Sequence, residues 1–419
     1  MTPSDSDLRS KSSDGISPQT WACFGVCVAG LVTILAMDLI TRKPLWKDEA
    51  WYLSSVPELL RLGFSPEFLR SLPGPAGPLF AVVHSLFKPL TSLDQPGVRL
   101  VTIALSVLTF LALGEAMKRR GVAHAWLKAP ALMAAPMMFG PIGTAITEIP
   151  AALFFCSGLA LLLEALNREA RTARGDVPLA ILAGVCLAIA ISGRQQYLIA
   201  ALGAVLLLRP GFWRVGVIYA VVALGLAAPL FLIWGGISPP KTAYVGSGLS
   251  VAHGLLSFSY AGFVYCLYDA GWLRKNLAIN IALVMLTITL NVAFGFLNHL
   301  PFQQLAVRYL PPVIRQYYGL VGCGAMLGFG AMFLALLARV AWQGRHDRAL
   351  LYLCVIAVLM LGAPAKITHM FSGRYIASAL PILVMLAAER APDTYFKAGR
   401  LALGCLLGAF SLAAILYQV

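Results

Sequence analysis

The stretch "LWKDEAWYLS", residues 45–54, sets two adjacent carboxylates, Asp48 and Glu49, among Trp46, Trp51 and Tyr52. A carboxylate so placed can take a proton from a hydroxyl, and aromatic rings beside it make amphipathic walls suited to sugars. Neighbouring residues on a helix point about 100° apart, so both acids cannot face one substrate atom. One acts and the other supports. The competing reading is an acidic pair that favours a helix N-terminus, with its aromatics in a membrane-interface belt.

Other polar residues stand at the edges of apolar runs. Glu148 in "TAITEIPAALFF" is either a functional acid at membrane depth or the N-terminal charge of a helix begun by Thr147. Arg194 in "AISGRQQY" is placed to pair with a carboxylate or a phosphate, or else to snorkel toward headgroups. Near the C-terminal end, Lys366, His369, Arg374 and Tyr375 gather four phosphate or hydroxyl partners within ten residues, and Arg308 with Tyr309 repeats the Arg-Tyr pairing. His84, His253 and His299 share no spacing. No cofactor is expected, and a divalent cation is compatible with the sequence without being argued by it.

The elements that must hold these groups are membrane helices. Of 419 residues, 59% are hydrophobic and only 12% charged, and the mean hydropathy is +0.80. The fold class expected is all-α, a polytopic transmembrane bundle. Thirteen spans are predicted, near 20–41, 98–117, 125–141, 146–166, 178–194, 196–208, 213–235, 250–269, 276–297, 318–341, 349–364, 375–389 and 401–418. Residues 179–208 could instead be one kinked helix. Residues 1–19 read as a disordered cytoplasmic N-terminus without a cleavable signal, and 20–419 as a single membrane domain. The eight cysteines all lie in apolar runs and read as small core hydrophobes.

The net charge of +14 does not imply nucleic acid, because the basic residues cluster in short loops between apolar runs. The loops "KRRGVAHAWLK", "NREARTARGD", "RPGFWR", "DAGWLRKN", "ARVAWQGRHDR" and "ERAPDTYFKAGR" alternate with the loops bearing the candidate residues. If those six face the cytoplasm, every span inserts consistently, and Asp48, Glu148, Arg194 and Arg374 face outward. Residues 42–97 then form a long external loop of short surface helices followed by the turn "PGPAGP".

In order along the chain, "KDEAWY", "LPGPAGPLF", "RL" at Arg99 and Leu100, "TEIPA", "GGISPP" and "SGRYIASALP" resemble the C-type membrane glycosyltransferases, which use polyprenyl-phosphate-linked sugars. The first loop is similar to that of the bacterial enzymes that glycosylate proteins or attach aminoarabinose to lipid A, and of the protein O-mannosyltransferases. That resemblance implies that Asp48 is the catalytic base and Glu49 its supporting neighbour. The "Lys-Pro-Pro" those subfamilies use near the donor phosphate is "GPAGP" here, which leaves Arg194, Lys366 and Arg374 as phosphate candidates.

The implied reaction is inverting transfer of a monosaccharide from a polyprenyl-phosphate sugar to a hydroxyl on a glycan, lipid or protein, outside a membrane, the bacterial inner membrane foremost. The oligosaccharyltransferase members of the fold require a cation, whereas this loop is closer to the cation-independent monosaccharide-transferring members. The alternative class is a transporter or flippase of lipid-linked sugars. It calls for internal repeats, matched helix breaks and mid-membrane charges. No repeat is visible. A non-catalytic partner of a glycan-assembly complex would be expected to lose Asp48 or Glu148, and both are present.

Overall fold

The computed structural model describes residues 15–41, 44–172, 176–208, 213–242, 248–298, 310–368 and 371–417. The described residues are helical and contain no strand. Helix α1 (Pro18–Ile40) starts where Ser17 accepts a hydrogen bond from the Thr20 amide and Pro18 occupies the first turn. Four short helices fill the first loop: α2 (Lys47–Leu53), α3 (Ser55–Leu62), α4 (Pro66–Ser71) and α5 (Leu79–Thr91). Then follow α6 (Gly97–Arg119), α7 (Glu148–Thr172), α8 (Val177–Gly193), α9 (Leu198–Gly203), α10 (Trp213–Trp234), α11 (Val251–Tyr268) and α12 (Leu277–Phe294). The chain ends with α13 (Pro312–Gln343), α14 (Arg348–Gly362), α15 (Leu380–Ala388) and α16 (Tyr395–Tyr417).

Among the described residues nine helices are long and apolar enough to cross a membrane: α1, α6, α7, α10, α11, α12, α13, α14 with the turn after it, and α16. The chain is an integral membrane protein. The other four expected spans are short or broken. Pro130, Pro136 and Pro141 divide 125–143 into single turns, since proline lacks an N–H and clashes with the preceding turn. The 375–389 run is a 3-10 turn followed by nine-residue α15. Residues 177–207 form two short legs meeting at Arg194, whose backbone is extended. Broken backbone in a membrane must be covered by protein. Accordingly α15 is buried along its whole length, while α12 shows Ile279, Ile281, Met285 and Leu286 outward.

The bundle has two distinct ends. At one, Arg119 meets Glu164 at 2.8 Å, Arg120 meets Glu389 at 2.8 Å and Asp347 at 2.9 Å, and Arg168 meets Asp176 at 2.7 Å. These pairs bring together the basic loops after α6, α7, α13 and α15. At the other end lie the first-loop helices, whose Tyr52, Val56, Phe68, Leu69 and Phe80 pack with Leu230 and Trp234 of α10. The Trp234 indole donates to the Leu69 carbonyl at 2.9 Å, and Arg70 donates to the Ile233 carbonyl at 3.1 Å. The expected loop of short helices is thus present as a folded cap on the bundle.

Candidate active site

Every described candidate lies at the capped end. Glu49 is completely buried, and Arg99 of α6 is 1% exposed. Arg99 donates Nε to Oε1 at 2.8 Å and Nη2 to Oε2 at 2.6 Å, a two-bond fork. The Trp46 amide donates to Oε2 at 2.7 Å and the Ala145 amide to Oε1 at 2.9 Å. Four donors therefore occupy the carboxylate. Glu49, grouped with Asp48 as its supporting neighbour, is an anchor fixing the start of α2 to α6 and to the segment before α7. It has no oxygen free to take a proton from a substrate.

Asp48, one residue earlier and pointing elsewhere on α2, is partly exposed. Its Oδ2 accepts from Arg374 Nη1 at 2.7 Å. Glu148, at the start of α7, is buried and pairs with Arg194, the residue that ends α8. Thr147 Oγ1 stands 3.3 Å from Glu148 Oε2. Arg374 Nε lies 3.8 Å from Glu148 Oε1, too far for a hydrogen bond. Two acids and two arginines from four separated parts of the chain thus form one cluster. Burial opposes the charge on Arg374, but Glu148, Tyr52 and Asp48 around it more than offset this and hold the guanidinium's pKa above its ordinary value.

The aromatics divide by role. Tyr52 is buried, packs on Phe80 with ring centroids 5.8 Å apart, and leaves room only for a glycine at Gly74, where an added Cβ would fall 2.4 Å from the ring. At Gly77 a Cβ would lie 2.0 Å from the Ser192 carbonyl. The "PGPAGP" turn is therefore wedged between α2 and the end of α8, where it helps place Arg194. Trp51 is outward, and Tyr375 lies under the Arg374 guanidinium, 5.9 Å from ring centre to charge.

A narrow cleft opens beside this cluster, lined by Glu148, Arg194, Arg374 and Ser378 with Met138 and Tyr197. Lys366 is exposed and makes no ion pair or hydrogen bond with the cluster. His369 and Arg308, with Tyr309, lie outside the described residues. Among the described residues no three His, Cys, Asp or Glu side chains are gathered as a metal site.

Three residues of the site were not singled out from sequence. Arg99 appeared only within a motif, without its partner. Ser378 carried no signal. Asp38 did: it is an acid inside the apolar run of α1, and such a residue is by default functional. It is 1% exposed, and neither carboxylate oxygen has a hydrogen-bond partner. It lies close enough to Arg99 and Glu49 for both charges to act on it.

No protein-family model matches the sequence, and no curated protein aligns with it significantly. Among solved structures, two of the Archaeoglobus fulgidus oligosaccharyltransferase are similar. One is tethered to an acceptor peptide, and the other is in complex with an inhibitory peptide and a dolichol-phosphate. Each matches at 16% identity with a TM-score of 0.46, over 94% of this chain. The matches cover 54% and 55% of those chains, so this chain spans about half their length. At that score the likeness says nothing of chemistry.

Proposed function

We propose that this protein is a C-type membrane glycosyltransferase that moves a monosaccharide from a polyprenyl-phosphate carrier to a hydroxyl acceptor on the extracytoplasmic side of a membrane. The observation that carries this reading is one cluster at an end of the membrane bundle, in which the partly exposed carboxylate of Asp48 pairs with Arg374 and buried Glu148 pairs with Arg194, both arginines lining the adjoining cleft. The acids of a transporter would be sought near mid-membrane. Here the paired acids stand where helices end.

In the reaction Asp48 takes the proton of the acceptor hydroxyl as its oxygen attacks the anomeric carbon. The bond from that carbon to the phosphate oxygen breaks, and the electron pair leaves with the polyprenyl phosphate. Arg374 and Arg194 offset the charge that develops there. Phosphate departs already ionised and needs no general acid. One base opposite the leaving group gives inversion, unlike the two-carboxylate arrangement of a retaining hydrolase. Glu148 holds Arg194 toward the cleft, and Glu49 holds α2 so that Asp48 keeps its place. Tyr375 offers a hydroxyl and a ring face beside Arg374. The acceptor is a glycan, a lipid or a protein.

The test is transfer by the purified full chain of a radiolabelled sugar from a polyprenyl phosphate to an added acceptor. Asp48→Asn should lower the rate roughly 10² to 10⁴-fold while the protein stays folded. Turnover close to wild type in Asp48→Asn would remove Asp48 from the role of base and point to Glu148.

A further inference from the structure

We infer that Arg374 is shared between two partners, Asp48 and the phosphate of the incoming donor, so that Asp48 is uncapped as a base only once the donor is seated. This rests on the reading of the cleft as a polyprenyl-phosphate site. Three observations carry it. The first is that Asp48, the one acid of the first-loop pair open to solvent, is held by Arg374 Nη1. The oxygen so held already accepts from a guanidinium and is not open to an acceptor hydroxyl.

The second is that Arg374 is underused. A guanidinium carries five N–H donors in a planar fork that matches a phosphate with two bonds at once. Asp48 takes one bond, and Nε, 3.8 Å from Glu148 Oε1, is buried without a hydrogen-bond partner. A phosphate in the cleft offers this fork a better match than a single carboxylate oxygen. The third is Ser378, which lines the same cleft, is 6% exposed, and has a hydroxyl with no hydrogen-bond partner. A buried hydroxyl left unpaired is costly, and an anionic oxygen in the cleft would satisfy it.

The four-charge cluster is neutral as it stands. An arriving phosphate adds negative charge and must win a cation from one of the acids. Arg194 is held by buried Glu148, whereas Asp48 is the more exposed acid and can keep its charge in water once released. Arg374 is therefore the one to change partner. An empty site then keeps its base capped, and a seated donor frees it beside the anomeric carbon. When the polyprenyl phosphate departs, Arg374 returns to Asp48.

The experiment uses the detergent-purified full chain with two probes, a polyprenyl phosphate and the matching polyprenol without phosphate. Binding is measured directly, and the reactivity of Asp48 toward a water-soluble carbodiimide is read by peptide mass spectrometry. The polyprenyl phosphate should raise Asp48 labelling severalfold, and the polyprenol should leave it unchanged. Asp48→Asn should bind the polyprenyl phosphate about fivefold more tightly, because Arg374 is no longer held. Ser378→Ala, which should fold normally, should bind it about three- to tenfold more weakly.

If the polyprenyl phosphate binds but leaves Asp48 labelling unchanged, and Asp48→Asn binds with wild-type affinity, the sharing of Arg374 is wrong while the donor reading stands. An equal rise with polyprenol would also overturn it. If the polyprenyl phosphate does not bind the wild-type chain, the donor reading falls and takes the inference with it.

Discussion

Arg99→Met tests whether the candidate base is held in place from below. Methionine roughly conserves the length of the arginine stem and removes the guanidinium. Glu49 and Arg99 are 0% and 1% exposed and joined by bonds of 2.8 and 2.6 Å. Removing one partner of a buried pair costs about 3–5 kcal/mol, because the other charge remains without compensation. For Arg99→Met the lower end applies, since the Trp46 and Ala145 amides still donate to Glu49. Glu49→Leu should cost more. It strands Arg99 with only Gln95, at 3.1 Å, and leaves two amides unpaired at about 1–3 kcal/mol each. The double variant removes both charges, so its cost should fall well below the sum of the single costs, with a coupling of up to about 3 kcal/mol. Unfolding of the three variants in detergent, by heat and by denaturant, measures these values. Transfer activity should fall in Arg99→Met even where the chain is folded, since α2 is no longer fixed. A melting temperature equal to wild type, or strict additivity in the double variant, would refute the anchoring role.

Two further outcomes follow from other parts of the molecule. An impermeant thiol reagent applied from outside should label cysteines substituted next to Asp48 and should not label those in the loop 118–124; the opposite pattern would invert the proposed topology. His84 in α5, within the first loop, is fully buried without a hydrogen-bond partner, and burial pushes its pKa from 6.5 down to about 4. Above pH 6.5 the ring is neutral in both folded and unfolded chains and the stability is complete. Between 6.5 and 4 only the unfolded chain takes the proton, so stability should decline as pH falls, by about 3 kcal/mol in all. His84→Leu should flatten that slope in unfolding curves taken at pH 7.5 and 5, and an unchanged slope would exclude His84 as its source.

What was legible in the sequence is what depends on local pattern. Asp48 stood out because an acid pair among aromatics between apolar runs is visible without tertiary information, and the end-on placement of Glu148, Arg194 and Arg374 followed from counting spans. The basic loops after α6, α7, α13 and α15 meet at one end of the bundle, opposite the first-loop helices. Hydropathy failed where it sums apolarity without regard to backbone: 125–141 is apolar enough to span, but three prolines break it, and burial rather than lipid contact makes that tolerable. Pair identities were also hidden. Nothing local says that Glu49 meets a residue fifty positions away, or that Arg374 reaches back to Asp48 across most of the chain. Lys366 is the converse case: close to Arg374 in sequence, it is exposed and makes no bond to the cluster. Asp38 could have been found, since an acid inside a span is conspicuous on composition alone.

The two legs that meet at Arg194 have a consequence for the lipid around them. The returning leg, Gln195–Leu207, mixes 3-10 turns with one short α-helix and reaches roughly 23 Å at ordinary helical rises. Its Leu202 and Val205 are outward, with Leu208 just beyond it. It runs to the charged end of the bundle, where Leu207 packs against Gly216. A hydrocarbon core of about 30 Å therefore meets a wall several ångströms too short. Such hydrophobic mismatch is relieved by local thinning of the bilayer, at a fraction of a kcal/mol per ångström. The dent would form on the flank that also carries Arg194, bringing the headgroup plane down toward the cleft.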